Sequence, residues 1–176
     1  MRIGLLRHFP VEQPIISGWK TAAEIHAWRH QYDASPAIPG ECDIGNCWAE
    51  CLSSDLERTL STASAVFSGD IQATALLREP ELARFNTGKL RLPMWVWRWI
   101  LRFTWMTGHS SQRAGRDEFQ KRVNQVADLL ESMRHDVLVV SHAGMMAYLS
   151  AELRRRRFTG PKLRIPRHAE LYVYER

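Results

Sequence analysis

Short, unbroken apolar runs alternate along the chain with longer stretches in which apolar residues recur every three or four positions. The first run, residues 2–8, passes from Ile3, Leu5 and Leu6 into the polar pair Arg7-His8, and reads as a buried strand ending at Arg7 or His8. Residues 48–53 and 71–77 read as a second and a third strand. Residues 137–140, consecutive apolar positions, read as a fourth, and residues 170–174 as a last one. Helical stretches lie between them. Residues 21–32 open with Thr21 and Glu24 at the spacing of a capping box, and Ser54 and Glu57 repeat that spacing at the head of a helix reaching about residue 67. Over residues 112–134, Phe119, Val123, Val126, Leu129, Leu130 and Met133 recur with the helical period of about 3.6 residues. Residues 143–156 are helical again, and Pro36, Pro39 and Gly40 mark a loop.

Strands alternating with helices of this length predict an α/β fold: a three-layer sandwich with a mostly parallel central sheet covered on both faces. The 176 residues show no repeat, low-complexity tract or linker, and suit a single domain spanning 1–176. With 45% hydrophobic and 24% charged residues, the composition is that of a folded globular protein and not of a disordered or fibrous one.

The formal net charge is +5, and residues 154–157 with Lys162, Arg164 and Arg167 concentrate seven cations within fourteen positions. A solvated helix end complementing the negative end of the helix dipole accounts for them more simply than nucleic acid, for which no recognition motif is present. The cysteines Cys42, Cys47 and Cys51 are odd in number and cannot close a disulfide framework. No signal-like segment precedes the first strand, so the expected location is cytoplasmic.

In an open parallel sheet, ligands bind beyond the carboxyl ends of the strands, where helix N-termini favour anions. Three segments bring polar residues there: Arg7-His8, Ser53-Ser54 with Arg58 one turn into the following helix, and Ser141-His142. Two guanidiniums and two imidazoles suit a phosphoryl group, because the guanidinium fork matches phosphate oxygens and keeps its charge. Phosphate monoesters are so inert that a nucleophile is needed as well, and a neutral imidazole with a fixed tautomer can serve; His8 is the candidate. The leaving oxygen needs a proton from a carboxylic acid, and Glu79 and Glu81 both stand just after the third strand.

The chain resembles the histidine phosphatase superfamily, also called phosphoglycerate mutase-like. Leu6-Arg7-His8 resembles the family's Leu-Arg-His-Gly signature. Ser53-Ser-Asp-Leu-Glu-Arg58-Thr-Leu-Ser-Thr-Ala63 is similar to its Ser-Ser-x-Leu-x-Arg-Ala-x-x-Thr-Ala, and Val137-Leu-Val-Val-Ser-His142-Ala-Gly to its Val-x-Val-Ser-His-Gly segment. The resemblance implies catalytic roles for His8, Glu79 and His142: His8 as the phosphorylated nucleophile, Glu79, matched through Leu77-Arg78-Glu79, as proton donor. It also implies phosphate binding by Arg7, Arg58 and His142, and no metal or other cofactor. Phe9 and Ala83 depart from the family pattern at positions where glycine is usual.

His26 and His30 lie four apart, but the cysteine spacings fit no zinc site, so a metal is not expected. Residues 93–106 carry Trp95, Trp97, Trp99, Phe103 and Trp105, with Arg98 and Arg102 as a polar stripe. Such a segment falls short of the ~20 residues that span a bilayer. It reads first as a helical lid over the crevice, within an insertion at 86–110, and otherwise as an interfacial membrane helix or a partner surface; membrane contact is peripheral at most. The functional expectation is a metal-independent phosphomonoester hydrolase acting on a small phosphorylated substrate or a phosphoprotein. The alternatives are a mutase-type phosphotransferase and a catalytically weak scaffold that binds phosphorylated ligands.

Overall fold

The computed structural model describes residues 1–45, 47–81 and 85–176. The strands follow in chain order as β1 (Arg2–Arg7), β2 (Trp19–Lys20), β3 (Glu50–Ser54), β4 (Ile71–Thr74), β5 (Leu92–Pro93), β6 (Val137–Ser141) and β7 (Leu171–Glu175). The helices are α1 (Ala22–Asp33), α2 (Glu57–Val66), α3 (Met94–Thr107), α4 (Ser110–Met133) and α5 (Ala143–Arg155). Among the described residues, five strands form one sheet in the order β4-β3-β6-β1-β7. Its β4-β3, β3-β6 and β6-β1 pairs are parallel, and β7 runs antiparallel along β1.

Alternation along the central strand β6 explains the layering. Val137 and Val139 pack with Ile3 and Leu5 against Phe119, Val123 and Leu130 of α4 and Met145 and Leu149 of α5. Leu138 and Val140 point to the other face, into a cluster with Leu6, Cys51 and Ala63 of α2. Each Val or Leu of β6, fully buried, contributes roughly 1.5–3 kcal/mol relative to exposure. The sheet is therefore the middle layer of an α/β/α sandwich, as the apolar run predicts.

Local signals decide some elements and are overruled in others. At α1 the capping box forms: Thr21 Oγ1 accepts from the Glu24 amide at 3.2 Å, and Glu24 Oε2 accepts from the Thr21 amide at 2.7 Å. The equivalent box at Ser54 and Glu57 does not form. Helix α2 starts at Glu57 behind Leu56, which makes no side-chain cap, because Ser54 remains in β3 with its hydroxyl against His142. The second strand begins at Glu50 and not at residue 48, since the Trp48 ring lies against Gly4 of β1, where a Cβ would come within 2.6 Å of it. The third is cut short at Thr74, whose Oγ1 accepts from the Leu76 amide and starts a 3-10 turn over Ala75–Leu77. On α4, Phe119, Val123, Val126 and Leu130 are buried as predicted, whereas Leu129 is exposed.

The Trp-rich segment is helix α3. A ladder that sequence periodicity is too short to reveal fastens its start: β2 pairs antiparallel with β5, and the Met94 amide donates to Gly18 O at 2.9 Å. Trp97 is buried beside Met94 and Ile25, and its indole N–H donates to Lys20 O at 2.8 Å. Trp95, Trp99, Phe103 and Met106 stay exposed. Gly108, with a left-handed φ of 64°, closes α3, and α4 begins two residues later. Among the described residues no helix is long and apolar enough to cross a membrane.

The basic stretch near the carboxyl end is not simply solvated. Arg156 is bonded to Glu152 at 2.7 Å and to Asp128 and Glu131 at 2.6 Å each, and Arg155 to Glu152 at 2.6 Å. Two of the clustered cations are thus absorbed by carboxylates of α4 and α5.

Candidate active site

Strand β1 delivers Arg7 and His8 to the carboxyl edge of the sheet. The His8 amide still bonds to Ser141 O at 3.1 Å, and the next amide, that of Phe9, donates to Thr62 Oγ1 of α2 at 3.0 Å. The turn between these bonds seats the His8 ring, which is almost fully buried. Its Nδ1 lies 2.6 Å from Phe9 O. A carbonyl oxygen can only accept, so the proton sits on Nδ1 and the lone pair is left on Nε2. Burial, reinforced by the Arg58 and Arg7 charges and opposed by the Phe9 carbonyl, lowers the imidazole pKa to about 3. The ring is neutral at physiological pH.

Phe9, one of the departures from the family pattern, is a core residue whose ring lies against Gly40. The position of Ala83 falls outside the described residues.

Arg58 enters from α2 and is completely buried. The carboxyl end of α1 holds it: Nη2 donates to Asp33 Oδ1 at 3.0 Å, and Nη1 donates to Tyr32 O and Asp33 O at 3.3 Å each. Its pairing is with Asp33, not with the neighbouring Asp55 or Glu57; Asp55 is instead clasped by Arg78 at 2.6 and 2.7 Å. Arg7 donates to Pro166 O at 2.8 Å. Burial pulls the pKa of both guanidiniums below its ordinary value.

His142 caps β6 where the chain enters α5. Its Nε2 is 3.0 Å from Ser54 Oγ, and its ring centroid is 5.2 Å from that of His8. Burial, with Arg58 and His8 adding to it, holds its pKa well below the ordinary imidazole value. Ser141, beside it, ties the sheet to the 3-10 turn by donating to Leu77 O at 2.8 Å.

Glu79 follows that turn. Its Oε1 accepts from the Gly144 amide in the first turn of α5 at 2.7 Å. Arg122 of α4 steadies the segment, donating to Arg78 O at 3.1 Å and to Glu79 O at 3.3 Å. Arg7, His8, Arg58, Glu79 and His142 thus line one crevice of about 200 Å³, completed by Trp28, Arg29, Tyr32 and Ala143. Glu81 does not line it, which separates the two carboxylates that the sequence leaves equivalent. Three buried polar atoms of this group, Arg7 Nε, Arg58 Nε and His142 Nδ1, have no hydrogen-bond partner among the described residues.

Sequence reasoning misses several contributors. His168 Nδ1 donates to His8 O at 2.7 Å, and its ring stands 5.0 Å from that of His8. It arrives because Ala169, with a left-handed φ of 56°, donates to Arg7 O and leads into β7. Ser54 lies inside a recognised motif, but its bond to His142 shows only in three dimensions. A second, larger cavity of about 390 Å³ adjoins the crevice and shares Trp28, Arg29 and Glu79 with it; Ile16, Ile25, Met94, Leu101 and Trp105 form its apolar walls.

Solved structures of the same architecture are found over nearly the whole chain. An alpha-ribazole phosphatase from Shigella flexneri is 21% identical with a TM-score of 0.58, covering 98% of this chain and 89% of its own. A phosphoglycerate mutase from Bacillus anthracis is 17% identical with a TM-score of 0.62, covering 99% and 88%. A mycobacterial glucosyl-3-phosphoglycerate phosphatase is 18% identical with a TM-score of 0.54, covering 88% and 79%. At these identities the likeness is one of fold. No curated protein matches the chain at a significant level. The sequence model of the histidine phosphatase superfamily (branch 1) matches residues 45–176, a stretch that holds Arg58, Glu79 and His142 and leaves Arg7 and His8 to be placed by the sheet. With that match over most of its length, the chain belongs to the histidine phosphatase superfamily.

Proposed function

We propose that the chain is a phosphomonoester hydrolase working through a phosphohistidine at His8. One observation carries this reading: an imidazole held neutral, with its lone pair on Nε2, lines one crevice with Arg7, Arg58 and His142, each of which holds a buried polar atom without a partner among the described residues. A buried polar atom left unpaired costs ~1–3 kcal/mol, and a phosphate group supplies oxygens to all three.

In the first step the Nε2 lone pair attacks phosphorus, the P–N bond forms, and the bond to the leaving oxygen breaks. Arg7 and Arg58 hold the charge on the transferring oxygens. The Ser54 hydroxyl can donate to Nε2, and in that tautomer His142 carries its proton on Nδ1 and adds a neutral donor. Glu79, in its acid form, gives the leaving oxygen a proton. In the second step the Glu79 carboxylate takes a proton from water, the water oxygen attacks phosphorus, and His8 leaves as the free imidazole. The role of α3 in this reading is a wall of the substrate site rather than a membrane anchor, since Met94, Leu101 and Trp105 face the adjoining cavity.

Release of inorganic phosphate from p-nitrophenyl phosphate by the purified chain, and its loss in a folded His8→Asn variant, tests the proposal. Undiminished turnover in that variant contradicts it. The fold is shared with a phosphoglycerate mutase; isomerisation of a phosphorylated hydroxy acid without phosphate release would favour transfer over hydrolysis.

A further inference from the structure

The cavity beside the crevice has no part in the phosphoryl chemistry, yet Glu79 lines both spaces. This inference rests on the phosphomonoesterase reading, in which Glu79 protonates the leaving oxygen. Two larger spaces border Glu79 beyond the crevice of about 200 Å³: a polar one of about 550 Å³ edged by His26, His30, Asp33 and Arg78, and an apolar one of about 390 Å³. The apolar one shares Trp28 as well as Arg29 and Glu79 with the crevice, and it is the one into which the group attached to that oxygen continues. The apolar space lies within the ~300–1,000 Å³ typical of small-molecule sites.

Its walls are contributed by three separate parts of the chain: Ile16 from the segment before β2, Ile25 and Trp28 from α1, and Leu101 and Trp105 from α3. These side chains offer almost no hydrogen-bonding capacity, because both indole N–H groups are already used: Trp28 donates to Pro14 O at 2.9 Å and Trp105 to Tyr148 OH at 2.6 Å. A hydroxyl-rich sugar or a nucleoside placed here would leave polar groups unpaired, at a substantial cost. Besides Arg29 and Glu79, which the crevice shares, the polar members of the lining are Glu81, Gln112 and the α3 residues Arg98 and Arg102. The two arginines are exposed and have no ion-pair partner among the described residues, so their stems add apolar contact while their charges stay in solvent.

We infer that the substrate is a phosphomonoester of a large apolar alcohol, with the alcohol portion lying between α1 and α3. The inner side of α3 sets specificity by burying this group, and the phosphate crevice supplies the chemistry.

A series of n-alkyl phosphates, kept below their aggregation concentrations and compared with glycerol 2-phosphate, tests the assignment. Alkyl leaving oxygens differ little in basicity, so chain length isolates the contribution of the cavity. The expected result is a rise in kcat/KM of about fourfold per added methylene until the cavity is filled, with glycerol 2-phosphate at the bottom of the range. Leu101→Asp and Ile16→Asp, both at partly exposed positions on different elements, should each flatten that slope; because the slope is read, a uniform loss of activity does not imitate the effect. A flat slope, or a preference for glycerol 2-phosphate, with turnover intact overturns this inference and leaves the phosphomonoesterase reading standing. Absence of turnover on every ester, together with absence of label on His8, overturns both.

Discussion

The amide of Gly144 donates to Glu79 Oε1 at 2.7 Å, and a methyl group on Gly144 would stand 2.7 Å from Oε2 of the same carboxylate. The first turn of α5 therefore fixes the carboxyl group and also excludes any side chain larger than hydrogen beside it. Glycine is required here by close approach, because the backbone itself is ordinary helix. Gly144→Ala should move the carboxylate while leaving the fold intact, since the clashing atom is the end of a side chain. The expected outcome is a loss of about tenfold or more on alkyl phosphates, whose leaving oxygen needs a proton, and a smaller loss on p-nitrophenyl phosphate, whose leaving group does not. Equal losses on the two esters would remove Glu79 from the donor role.

Ser54 orients His142 through the 3.0 Å contact between Oγ and Nε2. In Ser54→Ala the ring keeps its place in the core but loses the hydroxyl bonded to its Nε2. A fall in kcat/KM of roughly tenfold is expected, with a stability loss of ~1–3 kcal/mol because Nε2 is left buried without a partner. Thermal unfolding measured beside steady-state kinetics separates the two; a large stability loss with full activity would contradict the assignment.

Arg58, which lines the crevice, presents one side of its guanidinium to Asp33 and Tyr32, and its buried Nε has no partner among the described residues. Lysine keeps the charge but not the planar fork, so Arg58→Lys should not rescue function. The expected loss in kcat/KM is ~10²–10³, the usual consequence of removing one donor to transition-state charge. Inhibition by inorganic phosphate should weaken in parallel, and unchanged inhibition would place the anion elsewhere.

The depressed pKa of His8, about 3 against an ordinary 6.5, has a definite sign in stability. Between those values the unfolded chain binds a proton that the folded chain refuses, so the contribution of this ring is complete above about pH 6.5 and is lost as the pH falls toward about 3. His142 is shifted in the same direction and adds to the effect. Nitrogen NMR of the histidine side chains should show His8 as the neutral, Nδ1-protonated tautomer from about pH 8 down to about pH 5. A titration midpoint near 6.5 for this ring would contradict the burial argument.

Much of this site is legible in the sequence because its members sit at strand ends. Arg7-His8 follows an apolar run, His142 follows Val137–Ser141, and Arg58 lies one turn into α2, so the sheet alone brings them together. The capping box of α1 is visible for the opposite reason: it is satisfied within four residues. What escapes notice depends on distant partners. Ser54 has the spacing of a helix cap, but its hydroxyl is taken by His142, 88 residues away. His168 reaches His8 only through the antiparallel seating of β7 on β1, and nothing near it in the chain marks it. The β2-β5 ladder is too short for any periodicity, yet it decides where the Trp-rich helix lies. Glu79 and Glu81 look alike in sequence and part in space because Gly144 and Arg122 bind the segment around the first.

The most direct test of the account is to trap the covalent intermediate. Rapid acid-free quenching of the chain during turnover of a radiolabelled phosphomonoester, followed by peptide mapping, should place an acid-labile, base-stable phosphoryl group on the imidazole of His8, and His8→Asn should carry none. Phosphate release at full rate with no label on His8, or with the label on another residue, would contradict it.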